Sequence, residues 1–74
     1  MQPISKGAQN ANIVQNNLIG LTLKQATEYA TPLEVIVRPV KKDGYSLTTV
    51  RDYRPNRVNV AIMDDKIVRV VNIG

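Results

Sequence analysis

The sequence predicts an α+β fold: one short helix packed on a small mixed sheet, with a long exposed loop between two of the strands. Three observations carry that expectation. A capped, narrowly amphipathic stretch begins at Thr22 and is closed by Pro32. Two runs rich in β-branched residues, Leu33 to Val40 and Arg57 to Met63, are separated by a long connection. Asp64-Asp65 then divides the second run from a further one at Lys66 to Val71.

The first 17 residues are rich in Gln, Asn, Ala and Ser, and their one neighbouring apolar pair, Ile13-Val14, belongs to no sustained period. They read as a flexible N-terminal tail, which leaves residues 18–74 as the folded domain. Thr22 supplies an N-cap hydroxyl, and Gln25, three residues on, can reach back to complete a capping box. Leu23, Ala26 and Ala30 recur at spacings of three and four, a narrow apolar stripe on a short helix. Pro32 ends it, because proline pushes Thr31 out of helical dihedrals and has no amide proton.

Leu33 to Val40 is apolar and β-branched enough for a largely buried strand, with Pro39 confining its far end to an edge or an exit. Arg57 to Met63 alternates, so Val58, Val60 and Ile62 face a core while Asn59 and Ala61 face away. Asp64-Asp65 makes a turn and Lys66 to Val71 a last strand. Two strands joined by so long a connection can pair in parallel, with the helix on one face.

The connection from Lys41 to Asn56 admits two readings that local evidence weighs equally. Lys42-Asp43-Gly44 is a strong turn signal and Tyr45 to Val50 has high strand propensity, so residues 34–50 can form a plain hairpin within the sheet. Alternatively the segment projects as a loop, and loops beyond about 12 residues in compact domains usually serve a function or are disordered.

Composition removes whole classes of chemistry. With no cysteine and no histidine among 74 residues, there is no disulfide framework, no Cys/His zinc site and no nucleophile–histidine pair. No two carboxylates are spaced for a cleft, so an enzyme is the least favoured class. Gly7, Gly20 and Gly44 read as turn or tail residues without phosphate-cradling spacing, and Asp64-Asp65 lacks the further oxygen ligands calcium needs, so no cofactor or metal is expected. No charged segment followed by an apolar stretch opens the chain as given, which predicts neither a signal peptide nor a membrane span. A cysteine-free chain is compatible with the cytoplasm and with secretion alike.

The net charge of +4 is local. Residues 38–57 hold Arg38, Lys41, Lys42, Arg51, Arg54 and Arg57 against Asp43 and Asp52, and six minus two accounts for all of it. Such a surface suits a nucleic acid, an anionic membrane or an acidic protein cleft, among which charge alone does not choose, and a merely solvated positive face is the bland alternative.

The run Val50-Arg51-Asp52-Tyr53-Arg54-Pro55-Asn56-Arg57-Val58-Asn59-Val60 resembles the reactive region of the potato inhibitor I family of serine protease inhibitors, and of similar small bacterial and fungal inhibitors whose loops read Asp-aromatic-Arg-Pro-acid/amide-Arg. Three further blocks resemble the family in the same order. Leu18-Ile19-Gly20 with Thr22 and Ala26 is similar to the start of its helix, Val35-Ile36-Val37-Arg38-Pro39-Val40 to its first strand, and Val70-Val71-Asn72-Ile73-Gly74 to its terminal segment. The likeness covers residues 18–74 and favours the projecting loop over the hairpin.

The resemblance implies a protease-binding loop of Thr48, Thr49, Val50, Tyr53 and Arg54 around a reactive bond between Arg51 and Asp52. Arg57, Asn59 and the carboxylate end of Gly74 would support it from below, with Arg57 gripping Asp52. Arg51 would enter the primary pocket, so the implied partner is a trypsin-like serine protease, with subtilisin-like enzymes also in scope. Val50 stands where family members usually carry threonine, Asn59 where many carry a second arginine, and about five extra residues lie around Lys41 to Tyr45; all three changes predict a weaker brace. Two other classes remain: a basic nucleic-acid-binding module using the arginines with Tyr45 or Tyr53, and a protein-interaction domain sharing the fold without inhibiting proteases.

Overall fold

The computed structural model describes residues 6–50 and 52–74. Two short helices, α1 (Lys6–Val14) and α2 (Leu23–Ala30), pack on a four-stranded mixed sheet of β1 (Ile36–Lys42), β2 (Tyr45–Ser46), β3 (Arg57–Met63) and β4 (Lys66–Ile73), ordered β2-β1-β3-β4. The fold class is therefore the expected α+β. β1 and β3 pair in parallel, and β4 returns antiparallel beside β3.

The presence of the N-terminal helix α1 is the main departure from expectation. Residues 6–17 do not form a tail: α1 buries Gly7, Ala8, Ala11 and Val14, and a 3₁₀ turn at Gln15–Leu18 delivers Leu18 fully into the core. Small residues on one face let this helix approach closely. A Cβ added to Gly7 would run into the carbonyl oxygen of Glu34, so this glycine, expected to be a turn or tail residue, is a close-packing position. Asn10 Nδ2 donates to the Leu33 carbonyl at 3.0 Å and ties the same helix to the segment before β1.

α2 begins as its sequence dictates. Thr22 accepts from the Gln25 amide at 3.1 Å, while the Gln25 side chain accepts from the Thr22 amide at 3.0 Å, a complete capping box. The helix stops at Ala30, but not for the expected reason: Thr31 keeps helical dihedrals, φ −55° and ψ −47°, and Thr31–Leu33 continue as a 3₁₀ turn carrying Pro32. Glu34 then takes a left-handed conformation with φ 61°, so β1 starts at Ile36 and not at Leu33. It also runs past Pro39 to Lys42, with the register shifting across Val40; that irregularity lets the strand continue through the proline.

Val35, Val58, Val60, Ile62 and Ile67 meet Ala11, Val14, Leu18, Ala26 and Ala30 in one aliphatic core. The segment before α2 adds to the sheet margin: Gly20, at φ 91°, donates to the Ile67 carbonyl at 2.7 Å, and the Ile67 amide donates to the Leu21 carbonyl at 2.8 Å. At the β3–β4 turn, Asp64 and Asp65 both adopt positive φ, the geometry of a tight hairpin that aspartate tolerates. No described helix is long and apolar enough to cross a membrane.

The connection between β1 and β3 combines both expectations. Asp43-Gly44 turns a hairpin of two paired positions, Lys41 with Ser46 and Lys42 with Tyr45. One further bond, from the Leu47 amide to the Val40 carbonyl at 2.9 Å, ends the pairing. From there the chain leaves the sheet as an exposed loop and returns at Asn56, whose carbonyl accepts from the Ile36 amide at 2.9 Å.

Candidate functional site

β3 is an interior strand, paired with β1 on one side and β4 on the other, and its two faces do different things. Val58, Val60 and Ile62 point to the helices, as alternation requires. Arg57 and Asn59 point to the other face, yet they too are buried, at 6 % and 3 % exposure. Asn59 and Ala61 thus do face away from the helical core, but not into solvent.

Burying a guanidinium is costly unless its donors find acceptors. Arg57 meets that demand through the loop and the last residue: Nη2 donates to the Asp52 main-chain oxygen at 2.7 Å and to its Oδ1 at 2.8 Å, and Nε donates to the Gly74 main-chain oxygen at 2.9 Å. The Gly74 amide in turn donates to the Arg57 carbonyl at 2.9 Å. Gly74 also lies beside Tyr53: a Cβ at position 74 would make an ordinary van der Waals contact with that ring, at 3.4 Å.

Asp52 collects every ion pair found among the described residues. Besides Arg57, Arg54 Nε donates to Oδ2 at 3.2 Å, and Arg38 Nη1 lies 3.8 Å from Oδ1. The hydrogen bond from Arg57 is the largest influence holding the Asp52 carboxyl below the usual carboxylate range, and the nearby charges of Arg57 and Arg54 act in the same direction. A carboxylate so held remains ionised at neutral pH and fixes the loop at one point.

Arg38 is the support residue that sequence reasoning missed. It sits on β1 directly beside Asn59 in the parallel register, so the two side chains share a face. Arg38 Nε donates to Asn59 Oδ1 at 2.8 Å, and Nη1 reaches the Val50 carbonyl at 3.3 Å. Asn59 passes the connection on, donating through Nδ2 to Asn72 Oδ1 at 2.9 Å and more weakly to the Gly74 oxygen at 3.5 Å. The signal in the sequence was a lone cation inside the apolar block Val35 to Val40. Its meaning depended on which β3 residue lay alongside.

Of the residues expected in the site, Thr48, Thr49, Val50, Tyr53 and Arg54 all lie exposed in the loop; Val50 is 75 % and Tyr53 74 % exposed. Arg57, Asn59 and Gly74 converge beneath it. Arg51, the residue expected before the reactive bond, lies outside the described residues. The C-terminal side of the loop is pinned twice more: the Arg57 amide donates to the Arg54 carbonyl at 3.1 Å, and Asn56 Nδ2 donates to the Glu34 carbonyl at 2.9 Å. No group of three or more acidic side chains that could hold a metal occurs among the described residues.

Among the described residues, the arrangement is a solvent-exposed loop held through its main chain at Val50, Asp52 and Arg54, with charged supports supplied by two adjacent strands. Set against protein-family models, curated proteins and solved structures, the chain finds no match in any of the three.

Proposed function

We propose that this protein is a serine protease inhibitor that offers residues 48–54 to a protease as a substrate-like loop, with Arg51 before the reactive bond and a trypsin-like enzyme as target. The observation that carries this reading is the grip of buried Arg57 on exposed Asp52, through both its carbonyl and its carboxylate. An exposed loop needs such bracing if it is to stay in one extended shape. The resemblance of Val50 to Val60 to potato inhibitor I sequences supports the same conclusion and supplies the assignment of Arg51.

The physical logic follows from what such a loop must do. An extended segment adds main-chain hydrogen bonds along the edges of a protease cleft, and a segment already held in that shape loses little conformational entropy on docking. The arginine side chain suits a primary pocket with an acidic floor. When the protease serine oxygen adds to the Arg51 carbonyl carbon and the C–N bond breaks, the Asp52 nitrogen takes up a proton and becomes an amine. Arg57 keeps that amine beside the acyl group, so the reverse step, in which the amine attacks the ester and releases the serine, competes with hydrolysis. A planar, always-charged fork is suited to this role in a chain without disulfides.

The nucleic-acid alternative has less to draw on. Arg38, Arg54 and Arg57 are engaged with Asp52 and with main-chain oxygens, leaving fewer cations for phosphates. Titrating trypsin, chymotrypsin, elastase and subtilisin with the purified protein tests the proposal: stoichiometric inhibition of trypsin with one slow cut after Arg51 is expected. Rapid cutting at several basic residues, or inhibition of chymotrypsin alone, would overturn it.

A further inference from the structure

We infer that Arg38 is the positioning residue for the N-terminal side of the reactive bond, and that the loop is held by a clamp divided between two strands. This inference rests on the inhibitor reading. Arg57, on β3, binds Asp52 and so holds the chain after the bond. Arg38, on β1, donates to the Val50 carbonyl at 3.3 Å and so holds the chain before it, while the same Nη1 lies farther, 3.8 Å, from Asp52 Oδ1. Asn59 sits between, accepting from Arg38 and donating toward Gly74, the residue that Arg57 also grips. The two halves of the clamp are thereby coupled through one amide side chain.

This division accounts for Asn59 and Val50, the two substitutions that predicted a weaker brace. An asparagine at position 59 leaves room on the shared face for a guanidinium arriving from the neighbouring strand, and its Oδ1 orients that guanidinium. The missing charge is supplied laterally from β1. Val50 has no hydroxyl to join the network, and its main-chain oxygen serves as the attachment point instead. After cleavage each new chain end would keep its own cationic anchor, on a different strand, which holds the acyl carbon and the amine within reach of each other.

The test separates Arg38 from both the fold and the inhibitor reading. In free protein, backbone amide order parameters of Thr48, Thr49 and Val50 are measured for the native chain, Arg38→Met, Arg38→Lys and the control Lys41→Met. The native and control chains should give values near the rigid limit of about 0.85, Arg38→Met a fall toward about 0.6, and Arg38→Lys an intermediate value. Amides of β3 and β4 should be unaffected in all four. Trypsin should cut the Arg51–Asp52 bond of Arg38→Met about tenfold faster than that of the native chain, with partial rescue in Arg38→Lys, because a lysine restores charge but not the two-point fork. Unchanged order at residues 48–50 in Arg38→Met, or equal loosening in Lys41→Met, would overturn the inference. If the native chain inhibits no protease yet Arg38→Met loosens residues 48–50, the inhibitor reading falls while the anchoring role of Arg38 stands.

Discussion

A single nitrogen of Arg57, Nη2, donates to both the carbonyl and the carboxylate of Asp52, at 2.7 and 2.8 Å. The arginine is buried and the aspartate exposed, so the bond runs from the rigid sheet to the loop. Replacing Arg57 with methionine keeps the apolar stem and removes both donors. On the inhibitor reading proposed above, inhibition of trypsin should weaken by about a hundredfold, whereas Asp52→Asn, which retains the main-chain contact and an amide oxygen, should weaken it by about tenfold. Inhibition constants for the two variants check the order.

Acid should act through the same carboxylate. The folded-state value for Asp52 lies below the unfolded one, about 3.9, so its contribution to stability is complete above that value and is lost as pH falls through the folded-state value. Denaturant midpoints should therefore be nearly level from neutral pH to about pH 5 and decline below about pH 4. Asp52→Asn should be less stable than the native chain at neutral pH, and the difference should shrink in acid. A native decline that Asp52→Asn reproduces in full would place the acid sensitivity elsewhere.

The N-terminal helix should be required for folding. Leu18→Ala removes a fully buried side chain and should cost about 2–5 kcal/mol. Gly7→Ala forces a methyl group against the Glu34 carbonyl and should cost about 1–3 kcal/mol. A chain starting at residue 18 should lose cooperative thermal unfolding, which circular dichroism reports directly.

The helix cap should matter to stability alone. Thr22→Ala breaks the reciprocal bonds with Gln25 and should cost about 1 kcal/mol. Because α2 lies on the core face, away from the loop supports, inhibition by the folded fraction should be unchanged.

These expectations follow partly from sequence and partly from what sequence hides. Arg57 to Met63 and the Asp64-Asp65 turn were legible because strict alternation and local turn chemistry encode them within a few residues. So was the Thr22–Gln25 box. The first helix was not, since its buried face consists of glycine, alanine and one valine among asparagines and glutamines, a pattern with little hydropathy contrast. Its helicity depends on packing against Glu34 and the core and not on local propensity. In the site, Arg57 and Asp52 could be linked by their spacing and by family likeness. Arg38 could not, because its role arises from a parallel register between segments about 20 residues apart and from a bond to a backbone oxygen, which no side-chain pattern records.

Among the described residues, the anchors along the loop take hold of the main chain at residues 50, 52 and 54, and of the side chains of Asp52, Arg54 and Asn56. On the inhibitor reading proposed above, the outward side chains of Thr48, Thr49 and Tyr53 could be exchanged to suit a different enzyme while the strands below keep their hold on the main chain, as a mount holds interchangeable fittings.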